Sequence, residues 1–167
     1  MSARAEPVAL HLLRHAHAGD PEAWTGDDAA RPLSDKGVAQ AERLARHLSA
    51  VGFTADVVLT SPKIRARQTA DIVAAALGLK VREDERLAGS LGLGAIRKIL
   101  REAGDPRVPV LSGHDPDFSE LLATLTGTPS LPMKKGAMAR IDLVGGLEQG
   151  GGVLRWLLPP DLLPREA

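Results

Sequence analysis

The order of apolar runs and helical patterns along the chain is the feature that most constrains its fold. Residues 8–13 are almost continuously apolar, which is typical of a strand covered on both faces. Residues 56–60 and 108–112 form similar runs. Between these runs, hydrophobic residues recur at helical spacing over 34–50 and 66–77. This alternation predicts a three-layer α/β/α sandwich with a mostly parallel central sheet.

The rest of the chain extends the same alternation. We predict a short third strand at 80–83 and two more helices at 95–103 and about 117–126. An antiparallel C-terminal hairpin is predicted from 138–144 and 153–158. A length of 167 residues suits one core-forming domain. We therefore expect a single domain over 1–167, with its core at about 8–158 and a frayed tail at 159–167.

Composition removes several classes of function. The chain has no cysteine, which excludes a disulfide framework, a thiolate nucleophile and zinc sites with cysteine ligands. Its 21 lysines and arginines balance 21 aspartates and glutamates, so bulk positive charge for binding nucleic acid is lacking. The N-terminus has no signal-peptide pattern, and no apolar run approaches the roughly 20 residues of a membrane span. We expect a cytoplasmic protein that binds neither nucleic acid nor membranes.

Reactive side chains follow three of the predicted strands. Arg14 and His15 follow the first strand, and His114 follows the fourth. The second strand is followed by a Ser-Pro pair at 61–62, predicted as N-cap and first residue of a helix, and then by Arg65. Because the carboxyl ends of parallel strands meet at one edge of a sheet, we expect these side chains to lie close together.

Two histidines and two arginines at one sheet edge suit the binding and transfer of a phosphoryl group. The planar guanidinium of arginine matches phosphate oxygens in pairs and stays charged at every relevant pH. Arg65 would also lie near a helix N-terminus, where backbone N–H groups favour an anion. A neutral histidine nitrogen can attack phosphorus and form a covalent phosphohistidine. Several arginines can stabilise the transferring group without a metal ion.

Each of these residues also has a simpler interpretation. Arg14 could form a surface ion pair, and His15 could be an ordinary loop histidine. Arg65 could lie on a solvated helix face, and His114 could belong to a turn that caps a helix. A metal site is a second functional interpretation of these residues. Its candidate ligands are His15, His17, Asp20, His114 and Asp115. A His-x-His pair after a first strand is, however, typical of barrels of about 250 residues, which this chain is too short to build.

Four short segments follow one another along the chain in a recognisable order. They are Leu-Leu-Arg-His-Ala at 12–16, Arg-Pro-Leu-Ser-Asp-Lys-Gly at 31–37, Ser-Pro-Lys-Ile-Arg-Ala-Arg-Gln-Thr-Ala at 61–70 and Ser-Gly-His-Asp-Pro at 112–116. These segments resemble the motifs of the histidine phosphatase superfamily, with its phosphoglycerate mutase-like fold, and most of all those of the small SixA-type phosphohistidine phosphatases. The first segment departs from the family pattern, because Ala16 stands where glycine is commonest.

The resemblance implies a set of site residues and an enzyme class. It implies that His15 is the nucleophile and that Arg14, Arg65 and His114 complete a phosphate pocket. Arg31 would add a phosphate contact from the loop before the first long helix. The resemblance implies neither a metal ion nor an organic cofactor, and it implies a hydrolase of phosphoric monoesters or phosphoramidates.

One departure from the family bears on the substrate. Many larger relatives carry a glutamate shortly after the third strand as the acid for an alkoxide leaving group, whereas this chain has Ala-Gly-Ser at 88–90. An imidazole leaves without such help, so we expect phosphohistidine in a protein as substrate. A small phosphorylated metabolite and a non-catalytic phosphate-binding module are the alternatives. Asp115, Asp117 and Glu85 stay open as general acids.

Overall fold

The computed structural model describes residues 5–165, over which strands and α-helices alternate. In chain order they are β1 (Ala9–Arg14), α1 (Asp35–Ala50), β2 (Val57–Thr60), α2 (Ile64–Leu77), β3 (Val81–Glu83), α3 (Leu93–Glu102), β4 (Pro109–Gly113), α4 (Asp117–Thr126), β5 (Met138–Asp142) and β6 (Val153–Leu158). Short 3-10 helices lie at Asp28–Ala30, Glu85–Ala88 and Pro160–Leu162.

The strands form one sheet in the order β3-β2-β4-β1-β5-β6. The first four strands in this order are parallel to one another, while β5 and β6 form an antiparallel C-terminal hairpin. The fold class expected from the sequence is therefore confirmed. Pro109 is the first residue of the central strand β4, a position at which the missing backbone N–H is tolerated.

Helices cover both faces of the sheet, because successive side chains of a strand point in opposite directions. Leu10 and Leu12 of β1 pack in a cluster with side chains of α3 and α4. Leu13 of β1 packs instead with Val110 and with side chains of α1 and α2. Among the described residues, no helix combines the length and apolar character that crossing a bilayer requires.

The start of α2 differs from the prediction. The helix begins at Ile64, and neither Ser61 nor Pro62 belongs to it. Ser61 Oγ accepts the N–H of Lys63 at 3.2 Å, so the serine closes a turn before the helix and is not its N-cap. This turn extends the segment between β2 and α2.

The prediction of a frayed tail is wrong for the part that the structure describes. Pro160–Leu162 form a 3-10 helix, and Leu163 is buried in the cluster that also contains residues of α1 and α2. This burial ties the chain to the domain after β6. Residues 166–167 of the tail, like residues 1–4 of the expected domain, lie outside the described residues.

The carboxyl ends of β1, β4 and β2 lie side by side, since β4 pairs with both of its neighbours. Arg14 of β1 is in register with Gly113 of β4. Backbone hydrogen bonds continue past the strands, from His15 N–H to Gly113 O at 3.0 Å and from Ser61 N–H to Ser112 O at 2.9 Å. The residues that follow these three strands therefore converge at one edge of the sheet, as predicted.

Candidate active site

His15 lies directly after β1, and its ring is held in one tautomer. Only 7% of the residue is exposed. Nδ1 lies 2.7 Å from the carbonyl oxygen of Ala16. Because a carbonyl oxygen can only accept a hydrogen bond, Nδ1 carries the proton and Nε2 keeps its lone pair. His15 therefore offers an unprotonated ring nitrogen.

The surroundings of His15 also keep its ring neutral. The pKa of His15 is lowered to about 4, chiefly by burial and then by the positive charges of Arg65 and Arg14. At neutral pH the ring is therefore uncharged. This is the protonation state that a histidine nucleophile requires.

His114 follows β4 and lies beside His15, with 5.2 Å between the two ring centroids. Its Nε2 lies 2.7 Å from Ser61 Oγ, which also accepts the N–H of Lys63. When Ser61 donates to Nε2, the ring proton of His114 is on Nδ1, a buried atom without a partner among the described residues. Burial, followed by the effects of His15 and Arg65, lowers the pKa of His114 to about 3. At pH 7 the ring of His114 is therefore neutral, and in this tautomer it can donate through Nδ1.

Two arginines, Arg14 half-buried and Arg65 buried, bring guanidinium groups to the same edge of the sheet. Arg14 is the last residue of β1, and its Nη1 lies 3.2 Å from Asp115 Oδ2. Arg65 lies in the first turn of α2 and is only 6% exposed, so the alternative of a solvated helix face is wrong for it. The Nε atoms of Arg14 and Arg65 are buried and lack a hydrogen-bond partner in the described part of the chain. Both arginines thus have a donor available for an anion.

Asp28, in the 3-10 helix before α1, links Arg65 to Arg31. Its Oδ2 accepts from Arg65 Nη2 at 2.9 Å, and its Oδ1 accepts from Arg31 Nε at 3.1 Å. The backbone oxygen of Asp28 accepts a further hydrogen bond from Arg65 Nη1 at 2.8 Å. Arg31 Nη1 donates to the carbonyl oxygen of Ala18 at 2.7 Å. The structure thus connects Arg31 to the other predicted site residues through Asp28.

Two side chains of α2 hold the loop between β1 and α1 in place. Thr69 Oγ1 accepts the N–H of Ala16 at 3.1 Å, at the start of this loop. Gln68 Oε1 accepts the N–H of Leu33 at 2.8 Å, near its end. The loop that carries Asp28 is therefore fixed to the same helix that carries the buried arginine.

Gly37 allows the first turn of α1 to lie against the same loop. Ser34 caps α1 by accepting the N–H of Gly37 at 3.1 Å, and its Oγ lies 2.6 Å from His17 Nδ1. A Cβ atom at Gly37 would lie 1.9 Å from the carbonyl oxygen of His17. The glycine of the 31–37 segment is thus required by a close approach of two backbones.

The three carboxylates left open as general acids lie in different surroundings. Asp115 contacts Arg14 and accepts hydrogen bonds from the N–H and Oγ of Ser119 at 3.0 and 2.7 Å. Asp117 is the first residue of α4. Glu85 is exposed in the 3-10 helix after β3, and β2 and β4 separate that strand from β1. Of these carboxylates, Asp115 is the one in contact with a predicted site residue.

The candidate metal ligands do not form a cluster. Within residues 5–165, no three histidine, aspartate or glutamate side chains are grouped so that they could hold a metal ion. His17 Nδ1 is bonded to Ser34, and Asp20 Oδ1 accepts the N–H of Glu22 at 2.9 Å. The metal-site alternative therefore has no support in the geometry of these side chains.

Four residues with contacts in the site were not identified from the sequence: Ser61, Gln68, Thr69 and Asp28. The first three belong to the 61–70 segment, so the motif itself could have pointed to them. Asp28 has no comparable signal. It is one of several carboxylates in a polar loop, and its partner Arg65 is 37 positions away in the sequence.

The chain is similar in sequence to several known proteins. A family model described as "Histidine phosphatase superfamily (branch 1)" matches residues 10–93. Phosphohistidine phosphatase SixA of Escherichia coli is 30% identical over 157 residues, which cover 90% of this chain and 93% of that protein. An 8-oxo-(d)GTP phosphatase of Mycolicibacterium smegmatis is 32% identical over 104 residues, covering 60% of this chain and 32% of that protein.

Solved structures show the same fold. The structure of the protein histidine phosphatase SixA complexed with tungstate matches with a TM-score of 0.78 at 23% sequence identity, over 92% of this chain and 98% of that one. The resemblance to SixA-type proteins and the enzyme class expected from the sequence, a phosphatase, are confirmed. The chain therefore belongs to the histidine phosphatase superfamily.

Proposed function

We propose that this phosphatase hydrolyses phosphohistidine in a protein substrate, through a covalent intermediate on His15 and without a metal ion or organic cofactor. The observation that carries the proposal is the tautomer of His15, since Nδ1 donates to Ala16 O at 2.7 Å and leaves the lone pair on Nε2. Around this ring, Arg14, Arg65 and His114 have buried nitrogen atoms available for phosphoryl oxygens. The similarity to a phosphohistidine phosphatase supports the substrate class.

The proposed reaction has two displacements at phosphorus. In the first, Nε2 of His15 attacks, a P–N bond to His15 forms, and the P–N bond to the substrate ring breaks. The electron pair of the broken bond stays on the substrate imidazole, which leaves as a neutral ring because its other nitrogen carries a proton. In the second displacement, water attacks phosphorus, the bond to Nε2 breaks, and both protons of the water leave with inorganic phosphate.

The charges around His15 suit this reaction. The guanidinium groups of Arg14 and Arg65 stabilise negative charge on the phosphoryl oxygens, and Nδ1–H of His114 can donate to a third oxygen. The segment 88–90 has no carboxylate to protonate an alkoxide, and Asp115 is engaged by Arg14. An imidazole leaving group requires no such acid, which favours a phosphoramidate substrate.

Trapping the intermediate tests the proposal. A protein substrate radiolabelled on phosphohistidine is mixed with the enzyme, and the products are quenched in base. We expect label on His15 that is stable in base and lost in acid, and we expect the same yield in EDTA. His15→Gln should abolish labelling, whereas His47→Gln in the last turn of α1 should preserve it. Phosphate binding without label on His15 would contradict the proposal and support a non-catalytic module.

A small phosphorylated metabolite is the second candidate substrate. The similarity to an 8-oxo-(d)GTP phosphatase favours it, although the matched region is 32% of that protein. The values of kcat/KM for a phosphohistidine protein and for a panel of nucleotides and sugar phosphates separate the two. We expect the protein substrate to have the higher value, and the reverse order would establish the metabolite.

A further inference from the structure

Asp28 places a partly exposed carboxylate against the buried Arg65 of the candidate phosphate site. Its two oxygens accept from Arg65 at 2.9 Å and from Arg31 at 3.1 Å. The side chain of Asp28 is 54% exposed, whereas those of Arg65 and Arg31 are only 7% and 9% exposed. The carboxylate therefore lies between two buried cations and the solvent from which a substrate must enter.

Asp28 keeps its negative charge at neutral pH. The pKa of this carboxyl is lowered, first by the hydrogen bond from Arg31 and then by the charge and hydrogen bond of Arg65. A carboxylate in this state has no proton to give, so Asp28 is unsuited to act as the general acid. Its charge also acts on His114, where it slightly opposes the lowering of the pKa by burial and by the neighbouring positive charges.

A fixed negative charge at this position affects the two halves of a substrate differently. It repels the oxygens of a phosphoryl dianion that approaches Arg65. It attracts a leaving group that carries a positive charge, as the ring of phosphohistidine does when its second nitrogen is protonated. An ester of an alcohol or phenol has no such charge, so it meets only the repulsion.

We propose that Asp28 is a specificity-determining residue that favours substrates with a cationic leaving group, N-phosphorylated imidazolium above all, over phosphate esters. This inference rests on the proposed function and names the feature of the substrate that the site selects. The bonds to Arg65 and Arg31 hold the carboxylate in position for this discrimination.

The substitution Asp28→Asn tests the role of the charge, because asparagine keeps the shape and one accepting oxygen. We expect the ratio of kcat/KM for phosphoimidazole to kcat/KM for an aryl phosphate to fall about fivefold, as loss of one partly screened charge contact implies. A residue that only positions Arg65 would change both substrates by the same factor. Equal changes for both substrates would therefore overturn the inference.

Asp27→Asn is the matched control. Asp27 is the adjacent exposed carboxylate, it caps the 3-10 helix by accepting the N–H of Ala29 at 3.0 Å, and asparagine can keep that cap. This variant removes the same charge from the same loop, so we expect it to leave the substrate ratio unchanged. A fall in the ratio equal to that of Asp28→Asn would show a general charge effect and overturn the inference.

Binding of inorganic phosphate gives a readout that is independent of turnover. At a pH where phosphate is a dianion, calorimetry should show severalfold tighter binding to Asp28→Asn than to the unsubstituted chain. Unchanged or weaker binding would overturn the inference even if the enzyme labels on His15. Conversely, tighter binding together with no label on His15 would contradict the proposed function and leave the electrostatic effect of Asp28 established.

Discussion

His15 is the residue on which the proposed chemistry depends, and its protonation can be measured directly. Its pKa is lowered to about 4, chiefly by burial. We expect the ring to stay neutral down to about pH 5 and to gain its second proton near pH 4, whereas an exposed imidazole titrates near about 6.5. The pH dependence of the ring signals in NMR, assigned with His15→Gln, measures this midpoint. A midpoint near that of an exposed ring would contradict the burial seen here.

Four of the five residues expected at the site share one property, a place at or shortly after the end of a strand, which is why the order of elements alone points to them. The fifth, Arg31, lies in the loop before α1 and is expected only from the resemblance to the family. Arg14 is the last residue of β1, His15 and His114 directly follow β1 and β4, and Arg65 lies in the first turn of the helix after β2. The order of the elements then determines that they meet. Asp28 could not be found in this way, because its place depends on hydrogen bonds across the loop and not on a strand or helix.

At the scale of elements, the contact between α1 and the loop after β1 depends on Gly37. A methyl group there would lie 1.9 Å from the carbonyl oxygen of His17, so one backbone would have to move. We expect Gly37→Ala to lower the free energy of unfolding by about 1–3 kcal/mol, as overpacking does, and to weaken phosphate binding by shifting the loop. Urea unfolding and calorimetry measure the two effects.

Gly94 provides the control for that substitution. It is the second residue of α3, and a Cβ built there has no atom of the other described residues within 4 Å, apart from its chain neighbours and the backbone of its own helix. Gly94→Ala adds the same methyl group to a helix without a clash, so we expect unchanged or higher stability, by at most about 1 kcal/mol. Similar losses for both variants would show that the close approach to His17 is not the cause.

The elements themselves were largely predictable, because periodicity marks where strands and helices lie. Their ends were less so. Ser61 has the side chain of a typical N-cap, but its Oγ contacts His114 and the N–H of Lys63 before the helix begins at Ile64. His114 follows β4 and is distant in the sequence, so the local pattern around Ser61 cannot reveal the contact between the two side chains. This contact makes Ser61 part of the candidate site.

The tail shows the same limit at the scale of the whole molecule. A short polar segment after a last strand has no periodic signal, so fraying is the natural expectation. Leu163 is buried because the neighbouring layer of helices leaves an apolar surface next to the end of β6.

The distribution of charge could not be predicted from composition either, since a formal net charge of +0 coexists with arginines concentrated at one sheet edge. Composition gives the net charge, whereas the fold determines where the charged side chains lie.

Burial of three histidines links the stability of the whole molecule to pH. The pKa values of His11, His15 and His114 are lowered to about 4, 4 and 3, in each case chiefly by burial. The unfolded chain therefore takes up protons below its ordinary histidine value of 6.5, while the folded protein does not. Stability is fully present above that value and falls as the pH drops towards 4, by about 1.4 kcal/mol per pH unit for each histidine.

Urea unfolding at a series of pH values tests this dependence. We expect one cooperative transition whose free energy is level near pH 7 and falls between about pH 6 and pH 4. His11→Phe should reduce the slope by about a third, because it removes one of the three buried rings and keeps the contact with Phe53. Of the carboxylates with a lowered pKa, Asp28, Asp84 and Asp142 lose their contribution only below their ordinary value of 3.8, so these three act in a lower window. A flat profile between pH 7 and 5 would mean that the buried histidines accept protons without unfolding.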